Sequence, residues 1–386
     1  MRLAIIIFAF PMVAQPARVF EKVWATVNEK YYDASHNGAD WAAAREAFQA
    51  KAAAARNDEE LYKILNEMLR RLNDRHTSAI PPSVVKQEQS RSALSIGFGM
   101  QLVEGRWVIK AVDPNSSAYE AGVAPGWVLE KMAGIPMPQR TGEMAAFDET
   151  IRYRSRCDAG QPIALALRDP ADKPREVAVT CRKLSITPKH EARMLDKGVL
   201  YLRFDEFASN SHRWMENALR VHKNANAAVI DLRENRGGLL DTLHAILPLL
   251  FKSKVSFGQI TTRSNRQTQR ASRAGGRNAF DKPIAVLVDS TTASASEILA
   301  AVVQESGRGK IYGSTSAGVV LFSVREDLPG GGELQISVWD YKTPRGRRLE
   351  GTGVAPDVKI EPTLADWRHA KDPVLETAIH DLQKHR

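Results

Sequence analysis

The stretch Ile284-Ala285-Val286-Leu287-Val288-Asp289-Ser290-Thr291-Thr292-Ala293-Ser294-Ala295-Ser296-Glu297 decides the fold. Its first five residues are continuously apolar, as expected of a parallel strand buried on both faces. A short polar turn follows, and residues 296–305 read as a helix. The same grammar occurs upstream. Ala227-Ala228-Val229-Ile230-Asp231-Leu232 runs apolar into a charged loop, with a helix expected over 240–251, and 199–204 reads as a further strand. Strands joined through helices imply right-handed parallel crossovers. Residues 195–364 are therefore expected to form an α/β domain with a mostly parallel sheet, followed by a C-terminal helix over 365–386.

Sites in open α/β sheets lie beyond the carboxyl ends of the strands. Two loops occupy that place: Asp231-Leu232-Arg233-Glu234-Asn235-Arg236-Gly237-Gly238, and the turn that ends in Ser294. A serine at a strand-to-helix junction is exposed for attack. The N–H of the next residue, Ala295, and the helix dipole can stabilise a developing oxyanion. The paired Gly237 and Gly238 let a second backbone N–H approach the same point. Serine also favours helix N-caps, so position alone supports either role. The turn lacks the Gly-x-Ser-x-Gly elbow of α/β-hydrolases.

Outward from this core the chain changes character. Phe20, Val23, Trp24, Val27 and Tyr31, then Leu61, Leu65, Met68 and Leu72, recur at helical spacing, so 18–82 reads as a helical region. Asp40 and Asp58 are its expected N-caps. Pro81-Pro82 is expected to end it, with 83–92 as a polar linker. Residues 93–186 read as short strands and turns. Gly97-Phe98-Gly99-Met100, with Ser117-Ala118 and Ala121-Gly122-Val123, resembles a PDZ domain. That resemblance implies that N–H groups of the Gly97, Phe98 and Gly99 loop hold a peptide carboxylate while the peptide adds as a strand. The usual Gly-Asp of such domains is Gly126-Trp127 here. Residues 259–277 carry five arginines without periodicity and read as a solvated loop.

Composition bounds the rest. A chain of 386 residues suggests two or three domains. The net charge of +9 is scattered and accompanied by no nucleic-acid module, so no nucleic-acid partner is expected. No internal stretch is long and apolar enough to span a membrane. Arg2, the apolar run 3–10 and small residues near Ala17 read as a secretory signal over 1–17, or else as a buried first helix. Cys157 and Cys181 are the only cysteines. They are too few for a cysteine-built metal site, and they read as a disulfide or as two reduced core residues. The histidines show no metal-ligand spacing, and no cofactor is implied.

Several motifs together resemble the tail-specific, or C-terminal processing, serine proteases. They are Asp231-Leu232-Arg233-x-Asn235-x-Gly237-Gly238, Thr292-Ala293-Ser294-Ala295-Ser296-Glu297, Gly351-x-Gly353-Val354-x-Pro356-Asp357 and Leu72-x-Asp74-x-His76-Thr77. The order of helical region, PDZ-like region and α/β core is also that family's order. The resemblance implies Ser294 as nucleophile, with Ala295 and Gly237 or Gly238 as oxyanion-hole donors. The Ser-Lys branch places a lysine 25 residues after the serine, where this chain has Val319. The branch similar to the tricorn core protease uses a histidine from ahead of the PDZ domain, which His76 matches, and a glutamate, which Glu350 matches. In that branch a relay serine precedes the histidine, where Arg75 stands here. Asp74 reads as a structural hydrogen-bonding residue. The implied function is an exported endopeptidase acting on unfolded or C-terminal segments of protein or peptide substrates. Val319 sustains a second reading, a catalytically inactive peptide-binding protein of the same fold.

Overall fold

A computed structural model of the chain describes residues 16–139, 160–185 and 187–384. Cys157 and most of the expected signal lie outside the described residues. The C-terminal half is built on a six-stranded sheet. His190–Leu195 pairs antiparallel with Val199–Phe204, and Ala227–Asp231, Ile284–Val288, Gly309–Gly313 and Val358–Lys359 follow in parallel. The strand sequences explain why both faces are covered. Leu200, Leu202, Ala228, Ile230, Val286 and Val288 pack with the helices Ser211–Val221, Leu240–Leu250 and Ala295–Glu305. The alternate residues Tyr201, Val229, Ala285 and Leu287 pack instead with Val374, Ala378 and Leu382 of Pro373–Lys384. A period of two along each strand, apolar on both phases, yields the three-layer arrangement.

The helical region consists of Pro16–Lys30, Trp41–Ala53 and Asp58–Leu69. Its core is shared with a long hairpin of the C-terminal half. Phe20, Leu61, Leu65 and Met68 pack with Leu328, Leu334 and Ile336 of the Phe322–Asp327 and Glu333–Lys342 strands. The short strand Ser78–Ile80 pairs antiparallel with the second hairpin strand, Ser78 opposite Gln335 and Ile80 opposite Glu333. This pairing carries the N-terminal segment 74–77 onto the C-terminal half.

Between them, Phe98–Val103, Arg106–Val112, Val128–Met132, Ile163–Arg168 and Pro174–Val179 form an antiparallel sheet around Trp107, Ile109, Leu129 and Leu165. Among the described residues, Phe98–Val103 is its edge strand, paired only with Arg106–Val112. A two-stranded ribbon, Ser92–Ser95 with Arg182–Ser185, closes the entrance and exit of this unit side by side. Leu364–Arg368 packs on its far face, with Leu364 and Trp367 against Val103, Val108 and Val128 and Arg368 2.6 Å from Asp172. Cys181 is disulfide-bonded. Among the described residues, no helix is long and apolar enough to cross a membrane.

Four local expectations differ from the structure. Pro82 opens a helix, Pro82–Gln89, rather than ending one, because the first helical position needs no N–H donor. Asp40 caps its helix through Ala43 N–H, but the next cap is Asn57, with Asp58 already inside the helix. The arginine-rich segment is not a loop: Ser256–Thr262 and Gln267–Ala271 form a hairpin. The C-terminal helix is two helices, interrupted before Pro373.

Candidate active site

The parallel pairing of Ala227–Asp231 with Ile284–Val288 brings both expected loops to one end of the sheet. Asp289 stitches them together. One carboxylate oxygen accepts the N–H groups of Thr291 and Thr292, each at 2.9 Å, and that of Glu234 at 3.2 Å. Buried Thr292 donates to the Leu232 carbonyl at 2.9 Å, and Ala293 N–H donates to the Asn235 carbonyl at 3.0 Å. Ser294 follows at φ 56° and ψ −123°, immediately before Ala295–Glu305. Its N–H reaches the Val319 carbonyl at 2.7 Å and Glu297 Oε2 at 3.0 Å.

Gly237 lies against this turn. A Cβ there would stand 2.6 Å from Ser294 Cβ and 2.8 Å from Ala295 N, so only glycine allows the approach. Its own N–H is spent on Asn235 Oδ1 at 2.9 Å, while buried Asn235 donates to the Phe204 carbonyl at 2.8 Å. Gly237 is buried and Gly238 exposed. Beside it, Glu234 pairs with Arg203 at 2.5 Å and with Lys110, which comes from the neighbouring antiparallel sheet.

His76 arrives from the N-terminal region on the anchored 74–77 turn. Asp74 accepts His76 N–H at 2.7 Å and the Thr77 hydroxyl at 2.5 Å; Thr77 Oγ1 accepts Ser337 N–H at 3.1 Å. Gln335 Nε2 donates to the His76 carbonyl at 2.9 Å. His76 is buried, its side chain 10% exposed, and its Nε2 stands 4.0 Å from Glu350 Oε2. Buried Nε2 has no hydrogen-bond partner among the described residues. The Val319 carbonyl accepts Ser294 N–H and the next residue, Val320, donates to Glu350, so the serine turn and the carboxylate beside the imidazole are joined through adjacent backbone groups. Burial holds the His76 pKa below the ordinary 6.5, although the Asp74 charge and the Val319 carbonyl pull it upward. Glu350 accepts Val320 N–H at 2.8 Å and Leu321 N–H at 3.2 Å; burial pushes its carboxyl above its ordinary value. Arg75, in the relay position, donates to the Ala317 carbonyl at 3.0 Å.

The structure therefore brings Ser294, Gly237, Gly238, Ala295, His76 and Glu350 to one region. Gly97, Phe98 and Gly99 lie apart from it, on the antiparallel sheet. Gly97 N–H is taken by Ser95 Oγ at 3.0 Å, and Phe98 begins the edge strand. Asp231 and Arg233, part of the same motif, form a tether instead. Buried Asp231 binds Arg233 at 2.6 Å and the Tyr201 hydroxyl at 2.8 Å, and Arg233 reaches Asp372 at 2.7 Å. Sequence reasoning assigned no task to Glu297. Its side chain is fully buried and accepts from Ser294, Ser316, Gly318 and Val319. The Ser-x-x-Glu spacing was the available signal, since it marks a capping box.

Comparison with known proteins points the same way. Residues 198–360 match peptidase family S41, and residues 12–70 match the tricorn protease C1 domain. The chain is 30% identical over 348 residues to a carboxyl-terminal-processing protease of Picosynechococcus sp., covering 87% of this chain and 81% of that one. A protein of the same description from Synechocystis sp. is 29% identical over 364 residues, covering 91% and 82%. The fold is similar to that of a photosystem II D1 C-terminal processing protease, with a TM-score of 0.63 at 23% identity over 91% of this chain and 94% of that one. The chain belongs to peptidase family S41, the carboxyl-terminal-processing proteases, and is a serine peptidase.

Proposed function

We propose that the protein is an exported endopeptidase cleaving unfolded or C-terminal protein segments, with Ser294 as nucleophile and His76 as general base. The observation that carries this reading is the placement of the buried His76 Nε2, which has no hydrogen-bond partner among the described residues and stands 4.0 Å from Glu350. It lies next to the backbone stretch whose Val319 carbonyl accepts Ser294 N–H and whose Val320 N–H donates to Glu350. A hydroxyl needs a neighbouring base to attack at neutral pH. A buried imidazole with a depressed pKa is neutral there and free to accept the proton, then return it to the leaving amine. Glu350, 4.0 Å from Nε2, would stabilise the imidazolium formed in between. Gly238 and Ala295 N–H groups would receive the oxyanion, because Gly237 N–H is engaged by Asn235. With Val319 in the lysine position, His76 is the base available at the serine turn.

Residues 93–186 would act as a PDZ-like module. The unpaired edge of Phe98–Val103 suits addition of a substrate strand, with Phe98 and Gly99 N–H groups near its carboxylate end. Gly97 N–H is already satisfied, so it would contribute conformation more than a hydrogen bond. The disulfide at Cys181 and the basic-then-apolar N-terminus agree with an oxidising compartment outside the cytoplasm.

Ser294→Ala is expected to abolish cleavage of casein while circular dichroism stays native. Labelling of the wild type by a fluorophosphonate probe at neutral pH separates this reading from a peptide-binding shell. Cleavage by Ser294→Ala, or no labelling of the wild type, would overturn it.

A further inference from the structure

The proposed mechanism leaves one buried charge without a task. Glu297 is 0% exposed, and its partners among the described residues are all neutral donors. Oε1 accepts Ser316 Oγ at 2.6 Å and Gly318 N–H at 2.7 Å; Oε2 accepts Val319 N–H at 2.9 Å and Ser294 N–H at 3.0 Å. Burying a carboxylate is costly unless such bonds offset the loss of water. A glutamate at the third helical position needs only the N-cap N–H to close a capping box. Three of the four donors here come from a different loop, so helix capping does not account for them.

That loop is the one whose Val319 carbonyl accepts Ser294 N–H and whose next residue, Val320, donates to Glu350 beside the His76 ring. Ser316 extends the connection further. Its hydroxyl donates to Glu297 and accepts Val354 N–H at 2.7 Å, while Gly351 N–H bonds the Gly318 carbonyl at 2.9 Å. Residues 351–354 directly follow Glu350. One carboxylate thus ties together the serine turn, the 316–319 loop and the turn after Glu350.

We infer that Glu297 is a positioning residue for the peptidase reaction, holding Ser294 in register with the Val319 carbonyl and, through Ser316, with the turn that carries Glu350. This role presupposes Ser294 as nucleophile and His76 as base. It makes Glu297 act through other groups: the carboxylate touches no substrate and moves no proton. It keeps the strained serine turn and the base at a fixed separation, the kind of preorganisation whose loss by about 1 Å costs ~100-fold in rate.

Glu297→Gln preserves shape but replaces one acceptor oxygen with an N–H donor. One pair of backbone or hydroxyl donors then faces another donor, and the clamp opens on that side. The expected result is a ~100-fold fall in kcat on a fluorogenic peptide with KM unchanged, and an equal slowing of fluorophosphonate labelling. Glu297→Asp, which restores the charge at shorter reach, should recover part of both. Wild-type kcat and labelling in a folded Glu297→Gln protein would overturn the role. So would a loss confined to thermal stability. Ser294→Ala run alongside separates the two levels: if it still cleaves, the nucleophile assignment falls first. Should Glu297→Gln fail to fold, Ser316→Ala removes the links to Glu297 and Val354 while leaving the three backbone donors on Glu297 in place. A several-fold loss of kcat at unchanged KM is expected there, and unchanged kcat would overturn the inference.

Discussion

Ser294 occupies a backbone conformation that costs a non-glycine residue of order 1–3 kcal/mol, and the surrounding hydrogen bonds hold it there. Gly237 is the space that conformation requires. Gly237→Ala would place a methyl 2.6 Å from Ser294 Cβ at a φ of +91°, so peptidase activity should be lost with at least about 1 kcal/mol of stability. Casein cleavage together with a urea midpoint checks both. His76→Ala should likewise abolish cleavage, whereas Val319→Ala should not, because Val319 works through its main-chain carbonyl. The pH dependence has a defined sign. Burial depresses the His76 pKa, so the neutral imidazole persists below the ordinary 6.5, and the acid limb of kcat/KM should fall below that value; a limb above pH 7 would contradict His76 as the base. Ser294, His76 and Glu350 could be singled out in the sequence as candidates because each sits in a short motif, and the structure places them in one region. The task of Glu297 was not, since it depends on three loops meeting in space. Nor could spacing separate Gly237 from Gly238; the Asn235 side chain makes that distinction.

At the level of elements, the apolar runs 227–232 and 284–288 announced their strands correctly because burial on both faces leaves little room for polar residues. The arginine-rich segment misled for the opposite reason. Its strand Gln267–Ala271 is exposed or half-buried throughout at one end of a five-stranded sheet, where a run of polar residues carries no hydrophobic signal. Arg263, at the turn of that hairpin, reaches the carbonyls of Tyr31 at 2.9 Å, Asn28 at 3.0 Å and Asp33 at 3.3 Å. It thereby satisfies acceptors left over at the end of Pro16–Lys30. Arg263→Ala should destabilise the protein by about 1.5–3 kcal/mol, the usual worth of hydrogen bonds from a charged donor. Chemical denaturation followed by tryptophan fluorescence reads this directly, and a change under about 0.5 kcal/mol, the scale of an ordinary surface substitution, would mean the contact is incidental.

Over the whole molecule, the order of helical region, antiparallel sheet and α/β core could be read from changes in periodicity along the chain. What could not be read is that the N-terminal helices and the 322–342 hairpin share one core, because that contact joins segments about 260 residues apart. His76 reaches the C-terminal half through this long-range packing. The antiparallel sheet is stabilised separately by its own core and by Cys181. Cys181→Ser should lower stability by about 2–4 kcal/mol, measured by unfolding without reductant. The ribbon of Ser92–Ser95 and Arg182–Ser185 has a consequence for how such a chain changes over time. Since Ser92 pairs with Ser185, the antiparallel sheet is spliced into the peptidase like a cartridge with both leads at one socket. Exchanging it for another module redirects the enzyme without rethreading the segment that delivers the imidazole, provided the newcomer also covers Leu364 and Trp367.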